Sequence, residues 1–199
     1  MVETLYFLFG LIIAITIHEF AHAFLADRLG DPTPRAQGRL TLNPLAHLDP
    51  VGTLMLLIFR FGWGKPVIFD PYNLAHPRRD AGLISLAGPV SNILLAIGLS
   101  LILRFIPLPT LISPLLYVTI LLNITLAIFN LVPVYPLDGE KILAALLPRD
   151  LAYEYQAVMS RYGTVLLIFL ILPVFGNSAI ISLISPIILF LTTLLLGGI

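Results

Sequence analysis

The amino-acid sequence predicts an all-α polytopic membrane protein, as judged from its composition, its long apolar stretches and the placement of its basic residues. The chain has 199 residues, of which 58% are hydrophobic and 11% are charged. Water-soluble domains carry about 25% charged residues, so this chain has too few polar side chains to cover a surface in water. That shortage favours the lipid bilayer as the surroundings, and the formal net charge of zero gives no indication of a nucleic-acid partner.

Apolar stretches predict about five membrane-spanning helices, because a span needs roughly 20 mostly apolar residues. The four longer stretches are 5–25, 81–106, 111–134 and 180–196. A fifth stretch, 163–175, is shorter and contains Pro173, so it would be a tilted or imperfect span. The first stretch has no basic leader, and we expect it to be a retained span. We expect one membrane-embedded domain over 1–199, with a core over 1–150 and additional helices over 160–199.

The region between the first two spans, residues 30–80, is rich in Pro and Gly and contains a short apolar run over 52–61. Ten residues at about 1.5 Å each cannot cross a hydrocarbon core of about 30 Å, so we interpret this run as re-entrant or interfacial. The basic residues support this interpretation. If the N-terminus is outside and the run does not cross, 10 of the 11 Lys and Arg residues lie on the cytoplasmic side, where such residues accumulate, and only Arg104 lies outside.

Three ionisable residues lie within five positions of the first span: His18, Glu19 and His22. Residues four apart on an α-helix are separated by about 40° around its axis, so both imidazoles project from one face. Such a pair suits tetrahedral zinc, and Glu19 would lie within reach of a water at the metal. The alternative is a pair of hydrogen-bonded histidines near the membrane surface. Ionisable groups are costly in lipid, however, and are seldom kept there without a role.

A third metal ligand is expected, because catalytic zinc usually has three protein ligands and one open position. The third span ends in the sequence NLVPVYPLDG, residues 130–139, where Pro133 and Pro136 interrupt the helix. Irregular backbone at membrane depth must line a protein cavity, which would place Asp138 beside it. An ordinary turn at a helix end would explain the same residues. The predicted topology favours the ligand, since it puts Asp138 on the same side of the membrane as His22.

These motifs resemble the site-2 protease family of intramembrane zinc metalloproteases. The sequence HEFAH alone is shared with many zinc peptidases, but the Asn-x-x-Pro-x-x-Pro-Leu-Asp-Gly pattern at 130–139 is more specific and matches at every fixed position. Gly88 and Asn92 match the Gly-x-x-x-Asn element of the middle core helix. Residues 62–67 are similar to a membrane-embedded β-hairpin of a prokaryotic branch. The PDZ-type domain inserted in some members is missing, so the resemblance is to a minimal prokaryotic type.

The resemblance implies a three-helix catalytic core around one Zn²⁺ per chain, opened to water from the cytoplasm. It implies His18, His22 and Asp138 as metal ligands and Glu19 as general base. It also suggests that Asn92 and Gly88 bind substrate, although a buried amide and a glycine would equally serve helix packing. The expected substrates are transmembrane proteins, cleaved within or next to their membrane segments in regulated intramembrane proteolysis. The expected location is a prokaryotic inner membrane, with the N-terminus outside.

Two other functions are compatible with a metal site in a membrane. A metal-ion transporter could use the same ligands as a transit site, but it should carry further polar residues along a path across the bilayer. The outer halves of the predicted spans hold almost none. A catalytically inactive relative would only bind membrane segments, and the intact Glu19 argues against that alternative.

Overall fold

The computed structural model describes residues 2–59, 63–173 and 178–197. Within these ranges the chain is mostly α-helical. The helices are α1 (Val2–Arg28), α2 (Thr33–Ala36), α3 (Pro50–Phe59), α4 (Pro77–Phe105), α5 (Ile112–Asn130), α6 (Asp138–Leu146), α7 (Arg149–Ile171) and α8 (Ala179–Leu196). Two 3-10 turns, Pro44–Ala46 and Pro71–Asn73, lie in the region between α1 and α4.

Four of the described helices, α1, α4, α5 and α8, are long and apolar enough to cross a membrane. This confirms the prediction of an all-α membrane protein. The predicted short span over 163–175 forms the second half of α7 as far as Ile171, and its residues 174–175 lie outside the described ranges. Because α7 starts with a polar half that includes Asp150, Glu154 and Arg161, it is not one of the four apolar helices.

The apolar run predicted to be re-entrant or interfacial is helical in its described part, and the hairpin predicted for 62–67 stays unconfirmed. Residues 50–59 form α3, whose ten residues are about 15 Å long at 1.5 Å each and are too short to cross a bilayer. In the described part of the chain no β-strand forms, and one isolated antiparallel bridge joins Leu48 to Gly64. Residues 60–62, which include the first residue of the hairpin predicted for 62–67, lie outside the described ranges. Residues 63–70, which we name the cleft segment, have no regular secondary structure.

The core consists of α1, α4 and α5, which pack against one another. Small side chains allow this close approach: Ala14, Ala96 and Ala127 are fully buried, one on each helix. At Gly10 of α1, an added Cβ would lie 3.0 Å from Thr119 Oγ1 of α5. The three helices therefore meet at short distances, and polar groups between them must find partners within the protein.

The turn after α5 folds back tightly before α6 begins. Gly139 makes this possible, because an added Cβ would lie 2.4 Å from the carbonyl oxygens of Leu131 and Val132. α6 then packs on α4, where Gly82 faces Ala145. The apolar residues of this turn form a buried cluster with residues of α7 and α8. As a result, the first residue of α6, Asp138, is directed towards α1.

Candidate metal centre

Two histidines of α1 form one half of the candidate site. His18 and His22 lie on the same face of the helix, and both are buried. Their rings pack edge to face, with centroids 4.6 Å apart. The backbone of α4 can approach these rings because residue 88 is a glycine. An added Cβ at Gly88 would lie 2.6 Å from His18 Cε1 and 2.6 Å from His22 Nε2.

The other half is Asp138, which follows His18 by 120 residues in the chain. Its Oδ2 atom lies 3.0 Å from His18 Nε2 and 3.3 Å from His22 Nε2. One ligand atom from each of these residues lies within 4.8 Å of the others, so the group could hold a metal ion. The fold thus brings together the three residues that the sequence predicted as metal ligands.

Hydrogen bonds on the far side of each ring indicate which nitrogen is available to a metal. His18 Nδ1 lies 2.6 Å from Asn92 Oδ1, and His22 Nδ1 lies 2.7 Å from the carbonyl oxygen of Ile84. Both partners are acceptors, so each Nδ1 donates to its partner, and the nitrogen left for a metal is Nε2, on the side of Asp138. Two imidazoles held in this way, together with one carboxylate, fit the ligands of a catalytic zinc site.

Glu19 lies beside this group and faces a cleft of about 390 Å³. The cleft is also lined by α5, by the start of α6 and by the cleft segment. The backbone N–H of Val67 in that segment donates a hydrogen bond of 2.8 Å to Glu19 Oε2. Glu19 of the helical core is therefore hydrogen-bonded to the cleft segment.

Comparison with known proteins identifies the family. The sequence model of peptidase family M50 matches residues 106–170, a range that includes Asp138. YwhC of Bacillus subtilis, provisionally named a zinc metalloprotease, is 36% identical over 184 residues, which cover 86% of this chain and 82% of YwhC. The chain belongs to peptidase family M50. The predicted resemblance and the prediction of a protease are thereby confirmed.

More distant relatives of this M50 peptidase carry similar names. Rip2 of Mycobacterium tuberculosis, also provisionally named a zinc metalloprotease, is 34% identical over 170 residues, which cover 81% of this chain and 63% of Rip2. The zinc metalloprotease MJ0392 of Methanocaldococcus jannaschii is 25% identical over 182 residues, which cover 90% of this chain and 46% of that protein. The chain therefore spans less than two thirds of the length of these two relatives. No solved structure matches it.

Asn92 and Gly88, which were predicted to bind substrate, are both buried in α4 next to the histidines of the M50 site. Asn92 donates hydrogen bonds through Nδ2 to the Ala14 carbonyl at 3.0 Å and to Asn123 Oδ1 at 2.8 Å. Substrate contact by these two residues stays a prediction. The sequence motif located both residues near the site, and the structure adds that Asn92 lies on the Nδ1 side of the His18 ring.

Two buried charges hold the cleft segment of the M50 peptidase, and neither was expected from the sequence. Arg39 donates to the carbonyl oxygens of Ala46, of Lys65 at 3.2 Å and of Pro66 at 3.5 Å. At the other end, Asp31 Oδ2 accepts from the N–H of Asp70 at 2.7 Å. Arg39 therefore contacts the beginning of the segment and Asp31 contacts its end.

The Asp31 carboxylate accepts three further hydrogen bonds. They come from the N–H of Thr33 at 3.0 Å, from its hydroxyl at 2.6 Å and from Asn73 Nδ2 at 2.8 Å. Burial raises the pKa of Asp31, but the hydrogen bonds from Thr33, Asn73 and Asp70 outweigh burial and hold the pKa below its usual range. The Asp-Pro-Thr sequence at 31–33 is a recognisable turn signal, whereas no local pattern indicates the partners of Arg39.

Proposed function

We propose that this membrane zinc metalloprotease holds its zinc with His18, His22 and Asp138 and uses Glu19 as general base. The observation that carries the proposal is the convergence of these three side chains from α1 and α6, each within 4.8 Å of the others through a ligand atom. Two imidazole nitrogens and a carboxylate oxygen form a known ligand set of catalytic zinc. A bound zinc ion would polarise the scissile carbonyl and lower the pKa of water towards about 7.

Glu19 supplies the proton transfers in this mechanism. Its carboxylate takes a proton from the attacking water and then passes that proton to the leaving amine. The hydrogen bond from Val67 N–H uses one lone pair of Oε2 and holds the carboxylate at the edge of the cleft. A carboxylate has about four acceptor sites, so the bond to Val67 leaves Glu19 able to accept a proton.

The substrates in this proposal are transmembrane segments of other proteins. Backbone groups inside a helix are already hydrogen-bonded, so a helical segment must unwind locally before a carbonyl can reach the site. The unwound backbone can then pair with the cleft segment, where Val67 and Phe69 line the cleft. Pairing with main-chain groups supplies affinity without requiring one particular side-chain sequence. Lipid-embedded proteins offer such segments in the plane of the membrane.

We further propose that the N-terminus lies outside a prokaryotic inner membrane and that the site opens towards the cytoplasm. His18 lies 16 residues after the first residue of α1, which corresponds to about 24 Å along the helix axis. Basic residues cluster beyond this point, and such an excess marks the cytoplasmic face. In this arrangement the chain is one domain, and α7 is a fifth span or a partly inserted helix.

Reporter fusions test this topology. Fusions after Gly30 and Pro77 should both give a cytoplasmic signal, and an external signal at Pro77 would contradict the topology.

Glu19→Gln tests the catalytic assignment. The amide is close in size to the carboxylate but cannot accept the proton of water, so hydrolysis of a transmembrane test substrate should fall by about 10² to 10⁴. Zinc content should stay at that of the parent protein, because Glu19 is not among the proposed ligands. Glu3→Gln is the matched control, since Glu3 is exposed in the first turn of α1. Cleavage by Glu19→Gln at the parent rate would contradict the role of Glu19. No cleavage by the parent protein of any transmembrane test substrate would instead favour the metal-ion transporter, whose flux depends on the metal ligands and not on Glu19.

A further inference from the structure

Two asparagines form a chain of side-chain hydrogen bonds that ends on His18. Asn92 of α4 and Asn123 of α5 are both fully buried among the core helices. Buried amides in a membrane protein are costly unless their polar atoms are paired. Here the pairs run from α5 to α4 to α1: Asn123 Oδ1 accepts from Asn92 Nδ2 at 2.8 Å, and Asn92 Oδ1 lies 2.6 Å from His18 Nδ1.

Main-chain carbonyl groups determine the direction of this chain. Asn123 Nδ2 donates to the Thr119 carbonyl at 2.8 Å, so the oxygen of the Asn123 amide faces Asn92. Asn92 Nδ2 donates to the Ala14 carbonyl at 3.0 Å, so the oxygen of the Asn92 amide faces His18. If either amide were turned over, an oxygen would face a carbonyl oxygen and two acceptors would meet without a proton. The acceptor offered to His18 is therefore fixed jointly by Asn123 of α5 and by the Ala14 carbonyl of α1.

We propose that Asn92 and Asn123 are positioning residues that keep His18 in the Nδ1–H tautomer and orient its ring for metal binding. The inference rests on the proposed function, in which His18 Nε2 binds zinc. An imidazole that donates through Nδ1 has its lone pair on Nε2, the atom that lies 3.0 Å from Asp138 Oδ2. The opposite tautomer would present a proton to the metal and could not bind it.

His22 provides an internal comparison. Its Nδ1 lies 2.7 Å from the main-chain carbonyl oxygen of Ile84, which no side-chain substitution removes. The two histidines thus depend on different supports: a chain of two amides for His18 and the backbone of α4 for His22. Substitution of either asparagine should affect His18 and leave the hydrogen bond of His22 in place.

The test is the zinc affinity of the full chain in detergent or nanodiscs, measured by competition with a chelator. Outer hydrogen-bond partners of metal-binding histidines are worth about 10- to 100-fold in metal affinity. Asn92→Leu and Asn123→Leu should each weaken zinc binding by about that factor. Thr125→Val is the matched control, because the Thr125 hydroxyl bonds only to the Leu121 carbonyl of its own helix among the described contacts, at 2.8 Å. It should bind zinc as the parent does.

A purely structural role predicts a different result. Loss of an interhelical hydrogen bond alone would lower thermal stability without zinc and leave the affinity of the folded protein unchanged, and that outcome would overturn the proposal. The second measurement is the ¹⁵N shift of the histidine rings in the folded, zinc-free Asp138→Ala protein, where the carboxylate beside His18 Nε2 is absent. His18 should carry its proton on Nδ1 there, and adding Asn123→Leu, at a residue with no hydrogen bond to His18 among the described contacts, should increase the Nε2–H form. An unchanged tautomer in the double variant would also overturn the proposal.

The same assay separates this inference from the proposed function. His18→Ala should lose most of its zinc if His18 is a ligand. Full zinc retention in His18→Ala would contradict the proposed ligand set itself. Zinc loss in His18→Ala together with parent affinity in both asparagine variants would leave the ligand set standing and remove the positioning role.

Discussion

The helical core and the cleft segment are held in place by different forces. In the core, α1, α4 and α5 meet through small residues, and the candidate ligands are fixed by close packing and by buried hydrogen bonds. The cleft segment has no regular secondary structure and is held at its ends by the buried charges of Arg39 and Asp31. The comparison indicates that the candidate metal ligands and the segment proposed to pair with substrate have separate supports. A substitution in one region should then leave the function of the other largely intact.

The largest effect is expected from removal of the core ligands. His22→Ala or Asp138→Ala should reduce zinc from near one per chain to a small fraction and abolish cleavage, because two remaining ligands hold the ion weakly. The measurement is metal analysis of the purified protein. His76→Ala is the control, since His76 is exposed and lies outside the candidate metal group. Full zinc retention in Asp138→Ala would show that this carboxylate does not bind the metal.

Gly88→Ala tests whether close packing in the core is necessary for the site. The added methyl group would lie 2.6 Å from atoms of both histidines, so the rings or α4 must move. Overpacking of this kind typically costs about 1–3 kcal/mol of stability, and we expect weaker zinc binding in addition. Gly98→Ala is a control on the same helix, because a Cβ there meets nothing within 4 Å. If Gly88→Ala bound zinc as tightly as Gly98→Ala, the histidines would be less constrained than the contacts indicate.

Asp31→Asn tests the support of the cleft segment. The neutral amide loses the charge-assisted hydrogen bonds to Asp70 and Thr33, which should lower the local stability of the segment by about 1–3 kcal/mol. Amide hydrogen exchange over 63–73 should become faster and cleavage slower, while zinc content stays unchanged. Asp27→Asn is the control, because Asp27 pairs with the exposed Arg35 and such surface pairs contribute about 0–1 kcal/mol.

Because the pKa of Asp31 is lowered in the folded chain, the support that its carboxylate gives to the cleft segment depends on pH. A carboxyl whose pKa is lower in the folded chain stabilises the fold at pH values above its unfolded pKa of about 3.9. That contribution is lost as the pH falls through the folded value. Protection over 63–73 in the parent, measured against the intrinsic exchange rate at each pH, should therefore fall at acid pH, and Asp31→Asn should lose this part of the dependence. Zinc loss with unchanged exchange in Asp31→Asn would contradict the separation of the two supports.

The amino-acid sequence by itself determined the membrane class, four of the helices and the motif residues of the candidate site. These features depend on local properties: hydropathy over about 20 residues, and the helical period that places His18 and His22 on one face. The proline-containing turn before Asp138 is likewise a local signal. The short apolar run was predicted not to cross because of its length, and its described part belongs to the ten-residue helix α3.

Only the tertiary structure decided which groups become partners across helices. Asn92 was identified by its motif, but its burial behind His18 and its bond to Asn123 depend on how α4 rotates against α1 and α5. The partners of Arg39 and Asp31 lie up to 27 and 42 residues away in the chain. A periodic pattern specifies which face of a helix is buried, but it does not specify the neighbouring element. A hydrogen bond between two helices requires its donor and acceptor atoms to lie within about 3 Å of each other. The partners are therefore determined only when the helices pack together.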